Sequence, residues 1–159
     1  MTDIALRYDP VLGSFDIALD PATGDLVTDD GLTTAVMISL FTDARAAADD
    51  PLPEPSLPRR GWWGDALDPA NPWGSKLWLL VREKCTAETA ARARAYAAQA
   101  LQWLIADRIA ARIDVTAEAV PAEHRIALAV TLTRPSGEQV AYRWRNLWAA
   151  MSGGLADAA

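Results

Sequence analysis

Ile113-Asp-Val-Thr-Ala-Glu-Ala119, Ile126-Ala-Leu-Ala-Val-Thr-Leu-Thr133 and Val140-Ala-Tyr-Arg-Trp-Arg145 decide how this chain folds. In the first, Ile113, Val115, Ala117 and Ala119 alternate with Asp114, Thr116 and Glu118. That period of two puts the apolar set on one face of a strand. The second alternates Ile126, Leu128, Val130 and Leu132 with Ala127, Ala129, Thr131 and Thr133. The third alternates Val140, Tyr142 and Trp144 with Ala141, Arg143 and Arg145, after a tight turn at Pro135-Ser-Gly137. Three successive half-buried strands joined by short turns predict an antiparallel meander with one face on a helix.

The helix is at hand. Residues 87–109 are Ala-rich, with Ala97, Leu101, Leu104, Ile105 and Ile109 at helical spacing for a core face. Thr86 suits its N-cap, and Glu88 in the first turn complements the helix dipole. Residues 76–84 are expected as a short helix, although their periodicity also admits a strand. Nearer the start, Phe15, Ile17 and Leu19 alternate with Ser14, Asp16 and Ala18, and Asp20-Pro-Ala-Thr-Gly24 offers a turn. Asp25–Thr28 then returns as the second strand of a hairpin. Residues 33–48 read as a helix capped by Thr33 or Thr34, with Val36, Met37, Leu40, Phe41 and Ala44 as its stripe and Asp49-Asp50-Pro51 as its stop. The fold class is therefore α+β: an N-terminal β-hairpin, helices, and a C-terminal three-stranded antiparallel meander packed on a long helix. One domain over 1–159 is expected: 1–50 as hairpin plus helix, 51–75 as a Pro- and Trp-rich loop, 76–150 as helices and sheet, and 151–159 as a frayed tail.

Composition narrows the function classes. With 51% hydrophobic and 23% charged residues, the chain can bury a core and is not a disordered segment. A net charge of -6 opposes binding to phosphate backbones, and no polybasic patch offers itself to a membrane surface. No apolar run approaches the ~20 residues of a membrane span. Met1-Thr-Asp-Ile4 lacks the features of a secretory signal, and the lone cysteine fits a reducing compartment, so synthesis in a reducing cytoplasm is expected.

Catalytic chemistry finds little footing. His124 is the only histidine, which excludes a multi-histidine metal site, and it follows Pro121-Ala-Glu123 at an expected turn. Cys85 is the only cysteine, with no nearby base to activate it. Asp29-Asp30 and Asp49-Asp50 look like turn and helix-end residues. The phosphate-cradling glycine patterns are absent. No catalytic residue, cofactor or metal is therefore expected. What stands out is the loop Arg59-Arg-Gly-Trp-Trp-Gly-Asp65. Adjacent tryptophans diverge, so one can dock in the core while the other faces a partner; alternatively both pin the loop to its own domain. The strand 127–133 adds an outer face of only Ala and Thr, read either as a central strand between charged neighbours or as a face covered by another subunit.

Arg60-Gly-Trp-Trp-Gly-Asp65 followed by Gly74-Ser-Lys-Leu-Trp-Leu-Leu80 resembles the Mu-like phage tail and baseplate protein family, over roughly residues 12–150. That family is similar to the sheath-initiator baseplate wedge proteins of contractile tails. The resemblance implies a structural, non-enzymatic protein located in the virion tail baseplate. It would link baseplate to tail tube and sheath, in six copies, with other wedge subunits as partners. A tail-assembly adaptor or chaperone and a tail-associated hydrolase are the rival readings. Candidate partner-binding residues are Arg60, Trp62, Trp63, Asp65, Trp73, Trp78 and Trp144. The wider initiator family closes its helix with Glu-Pro-Arg; here Ala106-Asp-Arg-Ile-Ala-Ala-Arg-Ile113 lacks Glu-Pro, and Asp107 with Arg108 or Arg112 is the expected substitute pair.

Overall fold

A computed structural model describes residues 3–9, 14–29 and 32–151. The expected frayed tail, Asp30 and the side chain of Phe15 lie outside what is described. The C-terminal half follows the alternation closely. Strands β5 (Arg112–Val120), β6 (Arg125–Thr133) and β7 (Gln139–Trp144) form an antiparallel sheet in the order β5-β6-β7. Val115, Val130 and Tyr142 share one cross-strand row. Ile126, Leu128, Val130 and Leu132 are fully buried, as a central strand with one core face requires.

Helix α2 (Ala87–Ala100) lies across β5 and β6. Its inward positions Ala90, Ala93 and Ala97 are small, so the helix axis can approach the sheet closely. Thr86 caps it as expected, its hydroxyl accepting from the Thr89 N–H at 3.1 Å. The helix does not run to residue 109. It breaks at Leu101, resumes as α3 (Gln102–Ala106), and closes in a Schellman turn. There the Ile109 N–H donates to Leu104 O at 2.9 Å and the Arg108 N–H to Ile105 O at 3.0 Å. The turn needs a left-handed residue, which here is Arg108 at φ 58°. The turn aims Ala110 into the core and delivers the chain to β5.

The N-terminal half departs from expectation more. Helix α1 (Thr33–Phe41) ends seven residues before the predicted stop at 48. Residues 43–48 have good helix propensity, but the backbone of Ser75 captures the chain first. Ser75 N–H donates to Thr42 O and Ala44 N–H to Ser75 O, each at 2.9 Å, which pulls Thr42 into extended geometry. Neither threonine caps α1 through its side chain. The Thr34 hydroxyl instead donates to Ile4 O at 3.1 Å and accepts from the Leu6 N–H, tying the helix start to the N-terminal arm. Residues 76–84 contain only a 3₁₀ turn, Leu77–Leu80, all four side chains buried. A short α4 (Leu147–Met151) ends the described chain, with Trp148 Nε1 donating to Leu80 O at 3.0 Å.

The arm comprises β1 (Asp3–Ile4), β2 (Leu6–Asp9), β3 (Ser14–Ile17) and β4 (Thr28–Asp29), paired β1 with β4 and β2 with β3. The predicted turn at 20–24 forms, and Leu19 bridges Leu26 across it. The strands meet in a closed ring of backbone bonds: Ala5 N–H to Val27 O, Val27 N–H to Ala18 O, and Ala18 N–H to Ala5 O, each 2.9 Å. The expected facing does not form, although Asp16 stays exposed. Ala18 is buried (9% exposed), whereas Ile17 and Leu19 are 49% and 57% exposed. The ring explains this, because it folds the three segments around Ala5, Ala18 and Val27 together rather than laying the apolar alternate set on the main core. Among the described residues, no side chain before Leu32 joins either core cluster.

Candidate functional site

The chain between α1 and α2 is long and irregular but well tied. Arg59 O accepts from the Ala46 N–H at 2.9 Å, and the Arg59 guanidinium donates to Ala47 O and Ala48 O. Asp50 accepts from the Ala47 N–H at 2.7 Å and from Lys76 at 2.6 Å. Partial burial pushes the Asp50 carboxyl up. The hydrogen bonds from Lys76 and Ala47, with the charges of Lys76 and Arg59, outweigh that and hold it below the ordinary carboxylate range. Gly74 is where the return leg passes closest to Thr42: at φ 98°, a Cβ there would stand 2.4 Å from Thr42 O. Only glycine meets both demands.

These ties hold up a cluster of indoles. The Trp62 ring centroid is 5.3 Å from that of Trp63 and 5.6 Å from that of Trp73. Trp62 lies flat over Gly64, where any Cβ would strike its ring at 2.2 Å. Asp65 accepts from the Trp73 N–H at 3.0 Å, which fixes the far side of the cluster. The three rings are 37%, 76% and 47% exposed for Trp62, Trp63 and Trp73, and Leu67 beside them is exposed too. Neither Trp62 nor Trp63 docks in the core, so the expected division of labour between them does not occur. Instead the rings pack against each other at tilts of 48° and 35° and present a joint apolar platform.

Arg60 stands behind this platform. Its guanidinium lies 4.6 Å from the centre of the Trp78 ring and reaches Asp43 at 2.7 Å. Trp78 and Trp144 are core side chains, 4% and 3% exposed, so their rings are not available to a partner. Trp78 Nε1 donates to Ala44 O at 2.8 Å. Trp144 packs edge-on against Phe41 and stacks with Tyr142; its Nε1 has no acceptor among the described residues. Trp78 comes from the apolar run Leu77–Val81 and Trp144 from the apolar alternate set of its strand, and those were the sequence signals for burial.

The remaining candidates are structural. His124 occupies an exposed left-handed turn position, and the Cys85 thiol donates to Arg125 O at 3.0 Å. Asp107 forms no ion pair with Arg108 or Arg112 among the described residues; Arg112 pairs with Asp114 at 2.6 Å. The outer face of β6 follows the plainer of its two readings. Its Ala and Thr side chains are half-buried beneath flanking residues, with Glu118 opposite Ala127, Asp114 opposite Thr131 and Arg143 opposite Ala129. Among the described residues, no group of three or more His, Cys, Asp and Glu side chains could hold a metal ion, and no helix is long and apolar enough to cross a membrane.

A family model described as phage protein GP46 matches residues 32–139, from the first residue of the core cluster to the start of β7. The chain belongs to this family. Baseplate protein gp46 of Escherichia phage Mu is 48% identical over 146 residues, covering 91% of this chain and 96% of the Mu protein. Mu-like prophage FluMu protein gp46 of Haemophilus influenzae is 37% identical over 148 residues, covering 93% and 98%. The Mu-like resemblance carried by Arg60–Asp65 and Gly74–Leu80 is thus borne out. In this GP46 family member, the first of those motifs contributes Trp62 and Trp63 to the exposed platform and the second carries the buried turn beneath it.

Proposed function

We propose that this GP46 family member is a non-enzymatic structural subunit of a contractile-tail baseplate. It serves as a wedge subunit or sheath initiator, linking other wedge proteins to the tail tube and sheath in six copies. The name and high identity of the Mu relative support the location. The observation that carries the mechanism is the packed platform of Trp62, Trp63 and Trp73, uncovered on a tightly tied loop. Covering an aromatic side chain removes roughly 150–250 Å² from water, at about 25 cal/mol per Å², so a few such rings can anchor an interface. Arg60 and Asp65 act as supports that hold the platform's shape, through the Asp43 pair and the Trp73 N–H. Synthesis in the cytoplasm and residence in the particle tail follow from this role.

Quantitative mass spectrometry of purified particles tests it. The chain is expected at a fixed copy number equal to that of other wedge subunits. A Trp63→Ala variant, altering an exposed ring, is expected to fold normally yet be depleted from particles at least several-fold. A chain present in the lysate but missing from particles would end the structural reading in favour of an assembly adaptor.

A further inference from the structure

Beside the platform the surface is grooved. One cleft of about 540 Å³ opens between residues 44–47 and the Tyr96–Trp103 side of α2 and α3. A second, of about 510 Å³, opens between Trp73 and the end of α3. They share the walls Pro72, Gly74, Ala100 and Trp103, so they are two halves of one groove. Each half is of the size that holds a few side chains. Trp73 is at once a wall of the groove and a member of the tryptophan platform, which makes groove and platform one continuous surface.

The groove has an apolar middle and charged ends. Trp103 spends its indole N–H on Ser39 Oγ at 3.0 Å, leaving carbon faces to line the channel. Ser39, Asn71 and Ser75, the small polar side chains on its walls, are bonded to Ala35 O, Asp68 and Leu40 O. At one end stand Lys76 and Arg45. Lys76 is neutralised by Asp50, whereas Arg45 is exposed and has no ion pair among the described residues. At the other end stands Asp107, also exposed and also unpaired among the described residues. The two ends therefore carry opposite, uncompensated charge.

We infer that this groove receives a short apolar segment of a partner protein that carries a carboxylate at the Arg45 end and a cationic side chain at the Asp107 end. The inference rests on the structural role proposed above and names the chemistry its contact face takes. Charge complementarity at the two ends fixes the direction of the segment, and the apolar middle supplies the area. The serine and asparagine side chains on the walls are already engaged, which leaves few hydroxyl partners for a sugar chain.

The test uses the whole chain and four fluorescent synthetic peptides sharing one centre, Ala-Leu-Val-Leu-Ala. Two carry Asp-Asp at one terminus and Arg-Arg at the other, in the two possible orders; the others carry Arg-Arg or Asp-Asp at both. Fluorescence anisotropy is expected to show one mixed peptide binding at least about tenfold tighter than either like-charged peptide. Arg45→Glu should shift the preference to the doubly basic peptide, and Asp107→Lys to the doubly acidic one. Both residues are exposed, and unchanged thermal melts confirm that the variants fold. Equal affinity for all four peptides, no saturable binding up to about 1 mM, or a preference unmoved by either variant overturns the inference. Saturable binding of soluble peptidoglycan fragments in place of the peptides overturns it as well. Because the readout needs no particle, it can fail while the baseplate reading stands, and the reverse.

Discussion

Replacing Arg108 by glycine should stabilise the chain, by about 1 kcal/mol in urea unfolding. The Schellman turn after α3 requires a left-handed residue, and a side chain there costs about 1–2 kcal/mol, part of which glycine returns as unfolded-state entropy. A loss of stability would mean that the Arg108 side chain holds something the turn geometry does not reveal. Gly74→Ala should act in the opposite sense. Its new Cβ meets Thr42 O at 2.4 Å on a backbone at φ 98°, so a loss of about 2 kcal/mol or more is expected in the same assay. At this scale the sequence was partly legible. The Thr86 cap was plain from its spacing to Glu88 and the alanine run. That Trp62 folds back over Gly64 was not, because what permits it is a missing Cβ two residues on.

Elements were legible where one local period decides them. The sheet strands and α2 obey periods of two and 3.6, and each buries the face its pattern marks. The end of α1 was not legible, because helix propensity continues past Phe41 and the competitor is the backbone of Ser75, far along the chain. The N-terminal arm misled for the same reason: its alternation is real, but a ring of bonds among Ala5, Ala18 and Val27 turns Ala18 inward and leaves Ile17 and Leu19 exposed. The loop joining α1 to the turn at 77–80 has its own pH signature. Asp50 titrates below its ordinary value when folded, so its contribution is fully present above the unfolded value of about 3.9 and is lost as pH falls through the folded value. The stability gap between the natural chain and Asp50→Asn should thus be open at about pH 6 and narrow steadily below about pH 4, measured by urea unfolding. A gap independent of pH would mean that the Lys76 bond contributes through geometry alone.

Across the whole molecule, the tryptophans divide between exposed rings, enclosed rings and the half-buried Trp103 and Trp148. Trp62, Trp63 and Trp73 of the seven are exposed, whereas Trp78 and Trp144 are sealed in the core. Acrylamide should therefore quench a readily accessible fraction of the fluorescence that Trp63→Phe diminishes and Trp144→Phe leaves intact. The opposite pattern would refute the platform. The groove behind it had no sequence signal at all: Arg45 and Asp107 come from segments that only the fold brings to one channel. The packing of Trp62 against both Trp63 and Trp73 carries a further consequence. These rings already lean on one another in the isolated chain, so a partner that covers them meets a surface largely set beforehand. Docking on it should register in calorimetry as a strongly negative heat-capacity change with little conformational penalty, the mark of two finished surfaces meeting rather than of one folding onto the other.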